Sequence, residues 1–180
     1  AAQFESYSVE ATNGIVADYY RSFYNVIFRA NLVLANLEAA GTSAAQFEAE
    51  AKFVRAYAYF NLVRLYGDIP LITSLTGPAD TDAAYTRTPS GDIYDLIQSD
   101  LNSAIAVLTN TYITRSSIAA SQALLSLLEL TLGNYAVAIS LRSQEHTSEL
   151  HSRHPFSYAV FCFLLSSSFL LPPSLSFPLL

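Results

Sequence analysis

The chain has 180 residues, of which 52% are apolar and 13% charged, a composition typical of a globular domain rather than of a disordered segment. Its net charge of −6 argues against nucleic-acid binding, because phosphate recognition needs clustered Lys and Arg. The single cysteine excludes an internal disulfide. The first residue is not Met, and residues 1–15 lack the basic-then-apolar order of a signal peptide, so we expect a longer parent protein.

The first predicted element is an amphipathic helix over about residues 16–39. Its apolar residues recur at alternating steps of four and three, which places them in one stripe along a helix. Gly41 follows as the predicted stop. The stripe consists of Val16, Tyr20, Phe23, Ile27, Ala30, Leu34 and Leu37.

The second predicted helix covers about residues 44–66. Glu48 and Lys52 stand four residues apart with the acid first, which favours an ion pair on the helix surface. Gly67 is expected to supply a left-handed cap, and Pro70 blocks any resumption of the helix before a long loop over 67–88. The predicted buried face holds Phe53, Tyr57 and Phe60, widened by Val54, Ala58, Leu62 and Leu65.

A third helix is predicted over about residues 89–108. Thr88 is the expected N-cap and Pro89 suits the first helical position. Asp92 and Asp95 fall in or near the first turn, where negative charge suits the helix dipole. The predicted buried positions are Ile93, Ile97, Leu101, Ala104 and Leu108.

The last predicted helices cover about 117–132 and the residues from 134 onward. The joint at Gly133–Asn134 is so short that the two helices must lie antiparallel. Residues 1–141 show no sustained strand pattern, so the predicted class is all-α, with the first four helices packed as two antiparallel pairs. If this row of helices is truncated, it exposes the apolar face that a further repeat would cover, and we expect poor solubility.

The histidines of the chain lie close together near its end. His146, His151 and His154 are accompanied by Glu145 and Glu149, and Cys162 follows, which raises the question of a metal site. However, the segments RSQEHTSELHSR and SYAVFC resemble the conceptual translation of a common sequencing adapter, with departures at Gln144 and His151 that single-base changes explain. We therefore expect no metal site and no cofactor.

The remaining residues of the tail support the same interpretation. Residues 163–180 contain only Phe, Leu, Ser and Pro, which share codons that begin with two pyrimidines. The apolar run 156–171 is shorter than the ~20 residues that a membrane-spanning helix needs. We therefore divide the chain into a biological domain over 1–141 and a tail of non-biological origin over 142–180. The same tail in independent genomic assemblies would refute this division.

No catalytic constellation is recognisable in residues 1–141, which contain neither His nor Cys. Lys52 is interpreted as half of a solvated ion pair with Glu48. Asp92, Asp95 and Asp100 are interpreted as a charged helix face rather than as paired carboxylates for glycoside hydrolysis. The numerous tyrosines suit helix-packing seams or sugar-stacking surfaces. Packing is the preferred interpretation for those on helix faces, namely Tyr19, Tyr20, Tyr24, Tyr57, Tyr59 and Tyr66, whereas Tyr7 is expected at the surface.

Four ordered segments resemble one family. Residues 50–72, EAKFVRAYAYFNLVRLYGDIPLI, closely resemble the hallmark segment of the SusD/RagB-like family. The segments that precede and follow it, YRSFYNVIFRANLVLANL and RTPSGDIYDLIQSDLNSAIAVL, agree with the family's order. ASQALLSLLELTLGNYAVAI then resembles its next helix pair, with Gly133, Tyr135 and Ala138 at the spacing of a tetratricopeptide-type turn. The resemblance covers about residues 16–141.

The resemblance implies a non-catalytic, surface-exposed lipoprotein of the outer membrane in Bacteroidota. Such proteins have a tetratricopeptide-like helical scaffold, bind glycans or other nutrients, and act with a TonB-dependent transporter. The signal and the lipid anchor would belong to a part that precedes this sequence. Because the sequence has no Trp and most of the family's inserted segments are absent, no ligand-binding residue is carried over. A tetratricopeptide-type protein-interaction scaffold and an enzyme whose catalytic part lies elsewhere remain as alternatives.

Overall fold

The computed structural model describes residues 5–6, 8, 10, 13–75, 86–110 and 115–151, and it describes side chains up to Ser143. These residues form helices and loops with one isolated antiparallel bridge between Ile69 and Thr88, which confirms the all-α class for the described part. The helices are α1 (Gly14–Ala35), a 3-10 segment (Leu37–Ser43), α2 (Ala44–Tyr66), α3 (Ser90–Val107), α4 (Ile118–Thr131) and α5 (Tyr135–His151).

Helix α1 begins and ends at asparagines. The Asn13 side chain accepts hydrogen bonds from the backbone N–H groups of Ile15 and Val16, which satisfies two donors of the first turn. At the other end the Asn36 amide donates to the Leu32 carbonyl at 2.7 Å. The predicted end of this helix at residue 39 is wrong, because α1 ends at Ala35. Gly41, with φ of 55° and ψ of −125°, makes a kink within the 3-10 segment that follows.

The connection between α2 and α3 corrects two predicted caps. Gly67 has the expected positive φ of 68°, but its ψ of −126° is not that of the left-handed helical cap. Thr88 does not cap α3, because its backbone pairs with Ile69 instead. The carboxylate of Asp68 takes that role by accepting from the Ser90 N–H at 2.9 Å. This contact ties the end of α2 to the start of α3.

Consecutive helices lie antiparallel, as polar contacts between their opposite ends show. The Tyr66 hydroxyl at the end of α2 donates to the Val16 carbonyl near the start of α1. The Ser126 hydroxyl on α4 donates to the Ala138 carbonyl on α5 across the tight turn at Gly133. Since α2 packs on both α1 and α3, the predicted pairs form one continuous row rather than two separate pairs.

The core lies between α1, α2, α3 and α4. All five predicted positions of α3 are buried. In the predicted stripe of the first helix, Ile27 and Ala30 are buried and the other five residues are half-buried. Two predicted core positions of α2 are wrong, since Val54 is 37% and Leu65 57% exposed. The largest buried apolar side chains are Ile27, Tyr59, Phe60, Leu62, Ile69, Ile93, Ile97, Leu101, Leu124 and Leu128.

The last two described helices leave large apolar side chains exposed. Five large side chains of α4, α5 and their joint are at least 43% exposed: Leu130, Leu132, Tyr135, Val137 and Ile139. The backbone of α5 continues past Leu141 to His151, so the proposed boundary at residue 142 falls inside a helix and stays a prediction. Within the described ranges no helix is long and apolar enough to cross a membrane, and residues 156–171 lie outside those ranges.

Candidate binding surface on helix α2

The charged residues discussed in the sequence analysis differ in exposure and in their partners. Lys52 and Glu48 form the predicted ion pair, with an N–O distance of 2.7 Å and partly exposed side chains. Asp92 and Asp95 are exposed near the start of α3, in agreement with a charged helix face. For Asp100 that interpretation is wrong, because this residue is only 3% exposed.

Asp100 is neutralised by a buried arginine. The Nε and Nη2 atoms of Arg55 donate to the two carboxylate oxygens of Asp100 at 2.8 and 2.9 Å. The Nη1 atom donates to the Asn31 side-chain oxygen at 2.9 Å. A fork-on-fork pair of this kind satisfies both buried charges. Asp100 is therefore committed to the core and is not available as a catalytic acid.

The same side of α2 holds the chain segment that follows the helix. The Asn31 amide donates to the Ile72 carbonyl at 2.9 Å. The Tyr59 hydroxyl donates to that carbonyl at 2.8 Å and accepts from the Ile72 N–H at 2.7 Å. We call Asn31, Arg55, Tyr59 and Asp100 the polar hub. Because the hub satisfies backbone groups of the connection, it fixes that connection on the helices.

Several tyrosines pack as predicted between the helices and this connection. The Tyr24 hydroxyl donates to the Pro70 carbonyl at 2.7 Å, and the ring of Tyr20 lies edge-on to that of Tyr66 at 5.0 Å. Burial raises the pKa of Tyr24, and it raises the pKa of Tyr59 to about 12 although the Ile72 hydrogen bond acts in the opposite direction. The packing interpretation is confirmed for these residues and for Tyr57, which packs against the core. Tyr19 packs on Phe23 but is 41% exposed, and Tyr7 lies outside the described residues.

The opposite side of α2 carries an open stripe. Tyr57, Asn61 and Arg64 are spaced by four and three residues, which places them about 180° around the helix from Arg55. Tyr19 on α1 and Tyr94 on α3 flank them, and we call these five residues the open stripe. Tyr19 is 41% exposed, Arg64 is exposed, and the other three are half-buried.

The groups of the open stripe lack the partners that the hub has. In the described part of the chain Arg64 forms no ion pair, and its guanidinium lies 5.1 Å from the centre of the Phe60 ring. Burial raises the pKa values of the Tyr19 and Tyr94 hydroxyls, while Arg64 lowers both, so its charge acts on the two flanking residues. The stripe thus combines aromatic rings with a cation that no described carboxylate neutralises.

A second surface feature is apolar. An open groove of about 380 Å³ lies between the end of α1, the 3-10 segment and the start of α2. Its lining offers one polar side chain, Asn36, whose amide already donates within α1. The groove residues are Leu32, Val33, Asn36, Leu37, Ala39, Ala40 and Phe47.

The structure does not test the question of a metal site at the end of the chain. The side chains of His146 and His151 are not described, and His154 and Cys162 lie outside the described residues. Among the side chains that are described, no group of three His, Cys, Asp or Glu residues is close enough to hold a metal ion.

The sequence analysis missed Arg55, Asn31 and Arg64. A signal was available for Arg55, since it stands within the apolar run FVRAYAYF on the side of α2 that also carries Ala58, Tyr59 and Leu62. A charged residue on a buried face requires a buried partner. No comparable sequence feature predicts that Arg64 is exposed without an ion pair, because arginine is common in the last turn of a helix.

Comparisons with known proteins agree on one family. The profile of a SusD-like family described as "Starch-binding associating with outer membrane" matches residues 2–130. SusD-like protein P2 of Formosa agariphila is 30% identical over 141 residues, which cover 76% of this chain and 28% of that protein. The chain therefore spans less than a third of the length of this relative.

Solved structures show the same relationship. A laminarin-binding SusD-like protein superposes with a TM-score of 0.61 at 32% identity, covering 68% of this chain and 28% of that one. A SusD-like protein from Bacteroides fragilis superposes with a TM-score of 0.68 at 23% identity, covering 77% of this chain and 28% of that one. The family match over most of the chain and the shared helical row lead to one conclusion: the chain belongs to the SusD-like family of carbohydrate-binding proteins.

Proposed function

We propose that the protein to which this chain belongs binds a glycan at the outer surface of the outer membrane and delivers it unchanged to a TonB-dependent transporter. The observation that carries the proposal is the match to a laminarin-binding SusD-like protein at 32% identity with the same helical arrangement. The family description, which joins starch binding to the outer membrane, supports the location. A lipid anchor on a preceding segment belongs to the same proposal.

The described side chains support binding without catalysis. The buried carboxylates are held by neighbouring side chains: Asp100 by Arg55, and Glu129 by the amides of Gln98 and Asn134 at 2.6 and 2.7 Å. A general acid or base has to reach the bond that it protonates or the water that it activates. These groups instead fix α2, α3 and α4 to one another, as a rigid scaffold requires.

A binding measurement that also follows the ligand tests this proposal. Laminarihexaose is titrated into the protein, and the recovered sugar is analysed by chromatography. We expect saturable binding and full recovery of the intact hexasaccharide. Shortened products would show an enzyme, and an absence of binding to laminarihexaose and to starch oligosaccharides would contradict the glycan function.

A tetratricopeptide-type protein-interaction scaffold is the second candidate. The hairpin of α4 and α5 favours it, because Gly133 with φ of 82° makes the tight turn and Ala138 is buried against α4 in the way such repeats require. Co-purification from outer-membrane extract separates the two candidates. We expect the transporter to be recovered together with a protein that also binds glycan, whereas a scaffold alone recovers a protein partner without binding any sugar.

A further inference from the structure

We propose that the open stripe on α2, together with Tyr19 and Tyr94, is a contact site for a neutral oligosaccharide. This inference rests on the proposed function and assigns the glycan to named side chains. The Tyr19 ring packs on Phe23 at 4.7 Å and is 41% exposed, so its uncovered side can meet the apolar face of a sugar beside the half-buried ring of Tyr57. The guanidinium of Arg64 donates to neighbouring hydroxyl oxygens. The Asn61 side chain adds an acceptor beside them.

The relative placement of these side chains follows from the packing of three helices. On α1, Tyr20 contacts Tyr66 at 5.0 Å and Phe23 lies 6.3 Å from Tyr57, so the turn that carries Tyr19 runs beside the second half of α2. On α3, Ser90 contacts Asp68 and Asp100 contacts Arg55. Tyr94 lies between these two contacts and is therefore beside the second half of α2. Arg64 therefore stands between two tyrosines that come from different helices.

The three tyrosine hydroxyls of the open stripe differ from three on the hub side. On the hub side, the hydroxyls of Tyr24, Tyr59 and Tyr66 donate to backbone carbonyls at 2.7 to 2.8 Å. In the described part of the chain, the hydroxyls of Tyr57 and Tyr94 have no hydrogen-bond partner, and neither has that of Tyr19. Tyrosine combines an apolar ring with a hydroxyl that seeks a partner, so the open-stripe tyrosines are the ones equipped to meet a polar ligand.

The polar groups of the stripe have capacity left for a ligand. The Asn61 amide donates to the Tyr57 carbonyl at 2.8 Å, and no described residue donates to its side-chain oxygen. A guanidinium carries five N–H donors in a fixed plane, which suits pairs of adjacent oxygens such as vicinal hydroxyls. Those of Arg64 are occupied by no described carboxylate, in contrast to those of Arg55.

Charge and composition favour a neutral sugar over other ligands. The chain carries a net charge of −6, which repels polyanions such as nucleic acids and highly sulfated glycans. The apolar groove near Phe47 offers few donors and acceptors, so it does not match the dense hydroxyls of an oligosaccharide. Rings, donors and an acceptor occur together at the open stripe.

Substitution of the stripe with matched controls tests the assignment. Laminarihexaose is titrated into the full-length protein to which this chain belongs and into its Arg64→Ala, Tyr19→Ala and Tyr57→Ala variants. Loss of charged hydrogen bonds is expected to weaken binding about tenfold or more for Arg64→Ala. Loss of a ring is expected to weaken it about fivefold for each tyrosine. The controls are Arg29→Ala and Tyr135→Ala, which change an exposed arginine and an exposed tyrosine on other helices and are expected to leave affinity unchanged.

The outcomes separate this inference from the proposed function. Glycan binding that is unchanged in all three stripe variants overturns the site but leaves the glycan function intact. An absence of glycan binding by the full-length protein overturns both. Unchanged glycan binding with loss of transporter binding in Arg64→Ala overturns the site in favour of a protein-docking surface. If Arg64→Ala lowers the melting temperature, the glycan affinity of Tyr19→Ala tests the site instead, because this variant alters an exposed ring on a different helix.

Discussion

The two sides of helix α2 differ in how completely their polar groups are satisfied. Arg55 and Arg64 lie on one helix about 180° apart, yet Arg55 makes a buried two-point contact with Asp100 and Arg64 is exposed without an ion pair in the described residues. The hydroxyls of Tyr24, Tyr59 and Tyr66 have backbone partners, whereas those of the three open-stripe tyrosines have none among the described residues. One side of the helix builds the scaffold, and the other keeps its hydrogen-bonding capacity for a ligand.

The largest expected effect on stability comes from breaking the hub. Arg55→Ala leaves the Asp100 carboxylate buried without its partner, and removal of one member of a buried pair costs about 3–5 kcal/mol of unfolding free energy. Arg64→Ala, the same change on the open side, removes an exposed contact with the Phe60 ring and is expected to cost no more than about 1 kcal/mol. Urea denaturation of both variants measures the difference. Equal losses would contradict the division of the helix into two sides.

The second-largest expected effect on stability comes from alkaline pH, which should destabilise the hub side. The pKa of Tyr59 is raised to about 12 in the folded protein, whereas an unfolded tyrosine ionises near 10.0. Stability from this group is therefore complete below pH 10 and is lost as the pH rises toward 12, because the unfolded state gives up the proton first. Two pKa units correspond to about 3 kcal/mol. Urea denaturation at several pH values measures this loss. In the Tyr59→Phe variant, the free energy of unfolding should fall less steeply between pH 10 and pH 12.

The smallest expected effect concerns an exposed ion pair on the same helix. Lys52→Ala removes the contact with Glu48, and a surface pair four residues apart contributes only about 0.3–0.5 kcal/mol. The loss should also shrink in high salt, since solvent ions screen exposed charges. A loss as large as that of Arg55→Ala in the same urea experiment would show that exposure does not determine the strength of these pairs.

Much of the fold could be predicted from the apolar periodicity. All five predicted buried positions of α3 are buried, because a regular helical period records which face meets the core. The start of α3 could not be predicted, because its cap comes from Asp68 in the preceding loop rather than from the adjacent Thr88. Local sequence reveals a cap only when the capping residue is itself local.

The polar contacts were harder to predict than the core. Asp100 stands seven residues after Ile93 and therefore lies on the apolar side of α3, but the sequence does not reveal that its partner is Arg55 on another helix. The open stripe combines residues of α1, α2 and α3, so no single segment of sequence contains it. Contacts between helices depend on how the helices pack, which the period of one helix does not specify.

The most direct test of the account follows the two arginines during one titration. Laminarihexaose is added to isotopically labelled protein while the side-chain Nε–H signals of Arg55 and Arg64 are recorded by NMR. We expect the Arg64 signal to shift in proportion to bound sugar and the Arg55 signal to stay in place. A saturable shift of Arg55 alone, or sugar binding that moves neither signal, would contradict the assignment of binding to the open side of α2.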